Sequence, residues 1–322
     1  TVSYNEAFKK KEATNELNDI QISTWTIQTL GRIIQDFDSI IVSYCAGDIT
    51  QTVIDNIRAD QQLILDAYVP IYIEMSARDA ADKDREYDAF NFENKIWTRA
   101  LKRGDIVLCA NKNQKDFYTG VLASLGRINP KTYGDDDILK IVPYGVYEDQ
   151  PVANEKPISK LSKNSKAFKL LWFGGIYPWF DLRSLLSAVK QVNEKIPVEL
   201  TMVGIRNPFN QHPDFIKKYE DTLKLIKDSE IEEFVHIVDW VDFNTRADWY
   251  LDADAVISIN NIGPENNYAW RTRSVDYVWS DLPMITNGKD PISNLLEENN
   301  ALILLENLEA ETISKKIFEV AN

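Results

Sequence analysis

The sequence predicts an α/β protein of two domains with parallel sheets. Three observations lead there. Short β-rich runs alternate with stretches of helical periodicity along the whole chain, several of those runs are continuously apolar, and one polar segment divides the chain near its middle. Such alternation marks parallel strands joined by crossover helices, and a continuous run such as "DSIIVSY" or "DIVLCA" reads as a strand covered on both faces. At 322 residues the chain is two ordinary domains long, on a prior of roughly 100 to 200 residues per domain.

In the first half the expected strands are Ile20–Ile22, Ser39–Tyr44, Leu63–Asp66, Ile106–Ala110 and Leu139–Pro143, with helices such as Trp25–Gln35 and Gln114–Leu125 between them. In the second half "FKLLWFGG", "VELTMVG", "FVHIVDWV", "DAVISI", "LPMIT" and "ALILL" are strand-like. Helices fit Leu182–Lys195, Phe215–Asp228, Thr245–Leu251, Trp270–Trp279 and Ile292–Glu298. Between the halves "GVYEDQPVANEKPISKLSKNSKAF", with Pro151 and Pro157, reads as a linker, which gives Rossmann-like domains over 1–155 and 156–322. Ligand is expected in a cleft between the carboxyl ends of the two sheets.

Composition removes several function classes. Lys and Arg number 36 against 50 Asp and Glu, a formal charge of −14, so the chain as a whole offers no basic footprint for nucleic acid. A phosphate site must then be local. Cys45 and Cys109 cannot make a disulfide framework, and with His212 and His236 as the only histidines, His-based metal sites and Ser-His-Asp triads find few candidates. No apolar run reaches the roughly 18 residues of a membrane span. The composition is that of a reduced, cytoplasmic protein, and the patch Lys160, Lys163 and Lys166 would suit peripheral attachment at the inner membrane face. The chain opens at Thr1, as a processed product or a fragment does.

Gly174 and Gly175 end a strand just before the helix expected from about Asp181, where glycines let backbone N–H groups approach an anion. A plain strand-to-helix turn is the alternative. In "PENNYAWRTRSVDYVWSDLP", Arg271, Arg273 and Asp276 fall where a polar loop enters an amphipathic helix. Cations in a first helical turn oppose the macrodipole by a few tenths to about 1 kcal/mol, so two arginines there call for an anion, either a phosphate or protein carboxylates. Asp66, Asn111 and Gln114 follow apolar strands and so face the expected cleft, with helix capping as the other reading for Asn111. Tyr177, Trp179 and Tyr268 stand in loops at strand ends, where they could stack on a ligand.

The second half resembles the nucleotide-sugar-binding domain of GT-B glycosyltransferases of family 4, in the subgroup found in bacterial surface-polysaccharide synthesis. The likeness is carried in order by "LLWFGGIYPWFDLRSLLSAV", "VELTMVG", "YLDADAVISI" and "SVDYVWSDLPMITNGKDPISNLLEENNALIL", and in the first half by "DIVLCANKNQKDFYTGVLASLGRINP" with "IVPYGV". It implies a retaining, metal-independent, hexosyltransferase-like enzyme that moves a sugar from a nucleotide-sugar to an acceptor hydroxyl. The nucleotide-sugar is a co-substrate and no cofactor is required. The acceptor would be a glycan, a lipid-linked sugar or a small molecule, and the protein would bind no nucleic acid. A non-catalytic or partner-completed subunit, and a nucleotide-sugar epimerase of the same fold, are the competing functions.

The family's Glu-x7-Glu pair maps its second acid, which holds the ribose, onto Asp276, counted back from Pro283. Its first slot falls on Tyr268, and the nearest acid, Glu265, is expected to take the sugar-contacting role. The family's diphosphate-binding Arg and Lys would fall near Gly175 and Phe180, where both are missing, so Arg271 and Arg273 are the expected substitutes. The resemblance therefore implies Glu265, Asp66 and Arg271 as catalytic. It implies Gly174, Gly175, Arg271, Arg273, Asp276 and Tyr268 for the donor, Asp66, Asn111 and Gln114 for the acceptor side, and no metal ligand. The "DDD" run at Asp135–Asp137 lies far from the expected donor site. The first domain starts one βα unit late relative to the family, which suggests trimming or completion by a partner chain.

Overall fold

In the computed structural model, which describes residues 25–43, 47–77, 83–208 and 213–322, the chain divides after Pro143 into two compact units. The first contains α1 (Ile27–Ile33), β1 (Ser39–Ser43), α2 (Gly47–Asn56), β2 (Gln62–Asp66), α3 (Ile71–Ser76), α4 (Lys83–Arg103), β3 (Ile106–Cys109), α5 (Lys112–Ser124) and β4 (Leu139–Ile141). Its strands are all parallel, in the order β1-β2-β3-β4. Leu63, Leu65 and Val107 on the two middle strands are fully buried, as expected of parallel strands sandwiched between helices. Four expected strands are present to within two residues; Ile20–Ile22, Tyr44, Cys45 and His212 lie outside the described residues. Cys109 is buried at the end of β3, and that burial pushes its thiol up to about 11.

The second unit holds α6 (Pro157–Leu161), β5 (Phe168–Phe173), α7 (Leu182–Asn193), β6 (Val198–Val203), α8 (Pro213–Asp228), β7 (Val235–Val238), α9 (Arg246–Leu251), β8 (Ala255–Ser258), α10 (Thr272–Trp279), β9 (Met284–Thr286), α11 (Pro291–Glu298), β10 (Ile303–Leu304) and α12 (Ala310–Ala321). Six parallel strands follow the order β10-β9-β8-β5-β6-β7. Starting from β5, the chain builds outward through β6 and β7, then returns to the other side of β5 for β8, β9 and β10. This is the doubly wound order, and its switch point lies between β5 and β8. Successive side chains on a strand point to opposite faces. Leu170 and Trp172 on β5, with Ala255 and Ile257 on β8, accordingly enter the core shared with α7 and α12, whereas Leu171 and Val256 enter the one shared with α9 and α10. Among the described residues no helix is long and apolar enough to cross a membrane.

The polar segment read as a linker is held against the second unit. The Asp248 carboxylate accepts the Asn154 and Glu155 N–H groups at 2.6 and 3.2 Å, and the Trp279 indole donates to the Asp149 carbonyl at 2.7 Å. Asp252 is almost fully buried. It accepts the Ser159 N–H (2.7 Å) and hydroxyl (2.6 Å) together with the Lys169 ammonium (2.9 Å). Burial works against its ionisation, but the Ser159 and Lys169 donors outweigh burial and hold the carboxyl below its usual range.

Removing Asp252 strands the Lys169 ammonium and the Ser159 hydroxyl, so Asp252→Ala is expected to cost about 2 to 3 kcal/mol at neutral pH. Its folded pKa is depressed, so the stabilisation is present above the unfolded value of about 3.9 and is lost as pH falls through the folded value. Thermal melts of Asp252→Ala and parent should differ by roughly 5 °C or more at pH 7 and converge as the pH is taken below that of ordinary carboxylates.

Candidate functional site

The switch point brings two loops together. The backbone of Phe180 bridges that of Asn260, the Asp181 N–H donates to the Ile259 carbonyl at 3.2 Å, and the Asn261 N–H donates to the Trp179 carbonyl at 2.7 Å. The loop after β5 is thereby tied to the loop after β8. A third loop joins them through the Asn287 side chain, which accepts the Asn260 N–H at 2.9 Å and donates to its carbonyl at 2.7 Å.

Gly174 stands at the end of β5 with φ +108°, a conformation that L side chains rarely adopt. A Cβ there would lie 3.3 Å from Nη2 of Arg273. Arg273 occupies the second position of α10, and its Nη2 donates to the Gly175 carbonyl at 2.9 Å. Its guanidinium carbon lies 4.6 Å from the centre of the Phe180 ring and 5.3 Å from that of Trp172, both within cation–π range. Among the described residues no carboxylate forms an ion pair with Arg273, and its buried Nη1 has no hydrogen-bond partner. Buried polar atoms are seldom left so. Asn260 Oδ1 and Arg271 Nε, in the adjoining loop, are buried and unpartnered as well.

Arg271 differs from Arg273. Its Nη2 lies 2.5 Å from Glu265 Oε2 and 2.8 Å from Asn266 Oδ1, and both charged side chains are about nine-tenths buried. The protein-carboxylate alternative therefore holds for Arg271, and Glu265, expected to contact sugar, has its carboxylate engaged by that arginine. Tyr268 caps the same 3₁₀ turn, Pro264–Asn267, and donates its N–H to the Glu265 carbonyl at 3.0 Å. The N-terminus of α7, expected to face an anion behind Gly174 and Gly175, carries its own carboxylate: Asp181 accepts the Ser184 N–H at 3.1 Å and hydroxyl at 2.6 Å. The cap takes up one of the free N–H groups at that end and places a carboxylate there.

Asp276 lies one turn beyond Arg273, on the same face of α10. It accepts the Tyr250 hydroxyl at 3.2 Å, and the Arg246 Nε lies 3.7 Å from its other oxygen, an ion-pair distance. Burial raises its pKa above the ordinary carboxyl value, and the Arg246 charge and Tyr250 hydroxyl offset only part of that. Arg246 is itself packed over Phe243 (3.7 Å), Trp279 (4.7 Å) and Tyr147 (4.9 Å). Neither Arg246 nor Tyr250 was indicated by the motifs. Their four-residue spacing on a helical run is the one sequence signal that places them on a common face.

In the first unit, Asp66 ends β2 and accepts the Ser43 hydroxyl at 3.0 Å. Asn111 and Gln114, expected on the acceptor side, make hydrogen bonds within the first unit. Asn111 caps α5 by accepting the Gln114 N–H at 3.0 Å. Gln114 is fully buried; its amide accepts the Ala110 N–H at 2.7 Å and donates to the Tyr68 carbonyl. The Gln114 side chain thereby fastens the end of β3 to the loop after β2. Among the described residues no group of three or more His, Cys, Asp and Glu side chains is placed to hold a metal ion.

No family model matches the sequence, and no curated protein matches it. Solved structures do match the fold. TarM of S. aureus, solved as a mutant with fondaparinux, α-GlcNAc-glycerol and UDP, superposes with TM-score 0.60 at 13% identity over 92% of this chain and 52% of its own. Sucrose-phosphate synthase of Thermosynechococcus elongatus gives 0.60 at 14% identity, over 92% and 71%. HepE of Anabaena, with UDP and glucose, gives 0.57 at 15% identity, over 95% and 87%. The chain has the GT-B fold. It spans about half the length of the TarM chain.

The contrast between the two arginines yields a test by stability. Glu265→Ala leaves Arg271 charged, buried and unpaired, and is expected to cost about 3 to 5 kcal/mol. Arg273→Ala, which breaks no ion pair, should cost clearly less in the same denaturant titration. Combining Glu265→Ala with Arg271→Met should recover part of the loss, because no buried charge then remains.

Proposed function

We propose that the protein is a glycosyltransferase that binds a nucleotide-sugar donor at the switch point of its second unit, with Arg273 on the diphosphate and Asp276 on the ribose hydroxyls. The observation that carries this reading is the buried, unpartnered Nη1 of Arg273 beside the positive-φ backbone of Gly174. A guanidinium that is half shielded by aromatic rings and lacks a carboxylate partner is suited to a phosphate oxygen, which it can meet with a charge-assisted hydrogen bond. Two of the fold's neighbours were solved with UDP, which makes a UDP-sugar the first donor to try.

In such a reaction the bond from the anomeric carbon to the diphosphate oxygen breaks, and negative charge gathers on the leaving diphosphate. Arg273 would meet that charge as it develops, so its contribution is larger in the transition state than in the ground state. Asp276 would act differently, since ribose hydroxyls donate to its carboxylate equally before and during bond breaking. Retention of configuration and independence from metal follow the family 4 resemblance and belong to the same proposal, as does an acceptor that is a glycan, a lipid-linked sugar or a small molecule of cell-surface polysaccharide synthesis.

A thermal-shift screen of UDP, GDP, ADP, CMP and dTDP is expected to single out UDP, with stabilisation near 2.7 kcal/mol at about 100 times its Kd. Arg273→Ala should lower kcat on the order of 10²-fold and raise the donor KM less. Asp276→Asn should mainly weaken donor and free-nucleotide binding, by roughly 1.5 to 3 kcal/mol. Because the Asp276 carboxyl is raised, UDP affinity in the parent should fall on acidification at a pH above about 3.9, the ordinary Asp value, and Asp276→Asn should lose that dependence. Unchanged UDP binding in both variants would remove the donor site from this position.

A further inference from the structure

A cavity of about 420 Å³ lies on the other flank of the Gly174–Gly175 backbone, between the loop after β5, the loop after β6 and α8. Gly175 is common to both places. Its carbonyl accepts from Arg273, and it also lines the cavity, where a Cβ would lie 2.7 Å from the Tyr177 hydroxyl. The helices separate the two places: α8 packs through Ile226 into one core of the sheet, whereas α10 packs through Tyr277 into the core on the opposite face.

The walls combine aromatic faces with planar polar groups. Tyr177 stacks on Trp179 with ring centres 4.9 Å apart and meets Phe215 edge-on at 5.3 Å, so its orientation is fixed by packing. Tyr219 is fixed in turn, with its hydroxyl donating to Asp239 at 2.9 Å and the Arg206 guanidinium 5.6 Å above its ring. Asn207 and Glu220 complete the polar part of the lining. Among the described lining residues Arg206 and Glu220 carry opposite charges, which disfavours a multiply charged ligand. The volume is in the range of pockets for small organic ligands.

We infer that this cavity is a saccharide subsite, distinct from the donor position, that takes a neutral sugar ring. A pyranose presents an apolar C–H face and a rim of hydroxyls; the aromatic walls suit the first, and the Arg206 and Glu220 groups, a donor and an acceptor, suit the second. The inference rests on the glycosyltransferase reading only in naming the occupant, which is a sugar residue of the acceptor or product glycan.

The test is saturation-transfer NMR with maltose, lactose and chitobiose as probes, on the parent protein and on Glu220→Ala and Leu223→Trp, with UDP binding measured in parallel. Glu220 is exposed on α8, and its removal leaves the cores untouched. The tryptophan fills the cavity from a half-buried position that lines it. At least one probe should bind the parent, and Glu220→Ala should weaken it roughly tenfold, the scale of one lost hydrogen bond to a charged group. Leu223→Trp should abolish the signal, while both variants retain parental UDP binding. Absence of binding by all three probes, or binding unchanged in both variants, overturns the subsite. Loss of the donor reading would show separately, as a parent that binds sugar here but no nucleoside diphosphate.

Discussion

The candidate donor site depends on the contact between the Arg273 guanidinium and the backbone at Gly174. The reversal of strand order at β5 brings the end of that strand beside the start of α10. Gly174 is then required twice over, because its φ of +108° excludes ordinary side chains and because any Cβ would crowd Nη2 at 3.3 Å. Phe180 and Trp172 close the other sides of the guanidinium without neutralising it. The outcome is a cation held in place, partly screened from water and close to the Tyr277 hydroxyl; its buried Nη1 has no hydrogen-bond partner among the described residues. In a low-dielectric setting such a donor interacts strongly with any anion that reaches it.

Two arginines separated by one residue thus have opposite fates. Arg271, just before the helix, is within reach of the 3₁₀ turn carrying Glu265 and is neutralised by it. Arg273, inside the helix, points back across the sheet to the loop after β5. The pairing at Glu265 holds the loop after β8 in shape, and that loop is laced to the β5 loop through Phe180 and Asn260. Arg271 thereby helps to hold the loop after β8 in shape. Asp276 shows the converse arrangement, an acid held beside the buried Arg246 at 3.7 Å, close enough to fix its place and too far to neutralise it completely.

Much of the fold was legible in the sequence because parallel strands covered on both faces carry continuous apolar runs, as residues 170–173 of β5 do. What periodicity did not signal was α4, a helix of 21 residues whose buried positions, apart from Glu86, are confined to Ile96, Trp97, Ala100 and Leu101 near its end. The site was legible only in part. Sequence spacing brought Arg271, Arg273 and Asp276 onto one segment, but the partner that decides each one's role lies elsewhere in the chain: Glu265 for Arg271, Phe180 and Gly175 for Arg273, Arg246 and Tyr250 for Asp276. The same limit explains Asn111 and Gln114. Their position after an apolar strand suits a ligand contact and a helix start equally, and only the fold shows that the Gln114 amide meets the Ala110 and Tyr68 backbone.

The most direct test of the central claim is a crystal structure of the protein with UDP bound. The account predicts a diphosphate oxygen within about 3 Å of Arg273 Nη1, a hydrogen-bond distance, against the Gly174–Gly175 backbone, with the ribose hydroxyls on Asp276 and the Arg271–Glu265 pair intact. A diphosphate bound away from Arg273, or one that draws Arg271 off Glu265 while Arg273 Nη1 stays unpartnered, would contradict it.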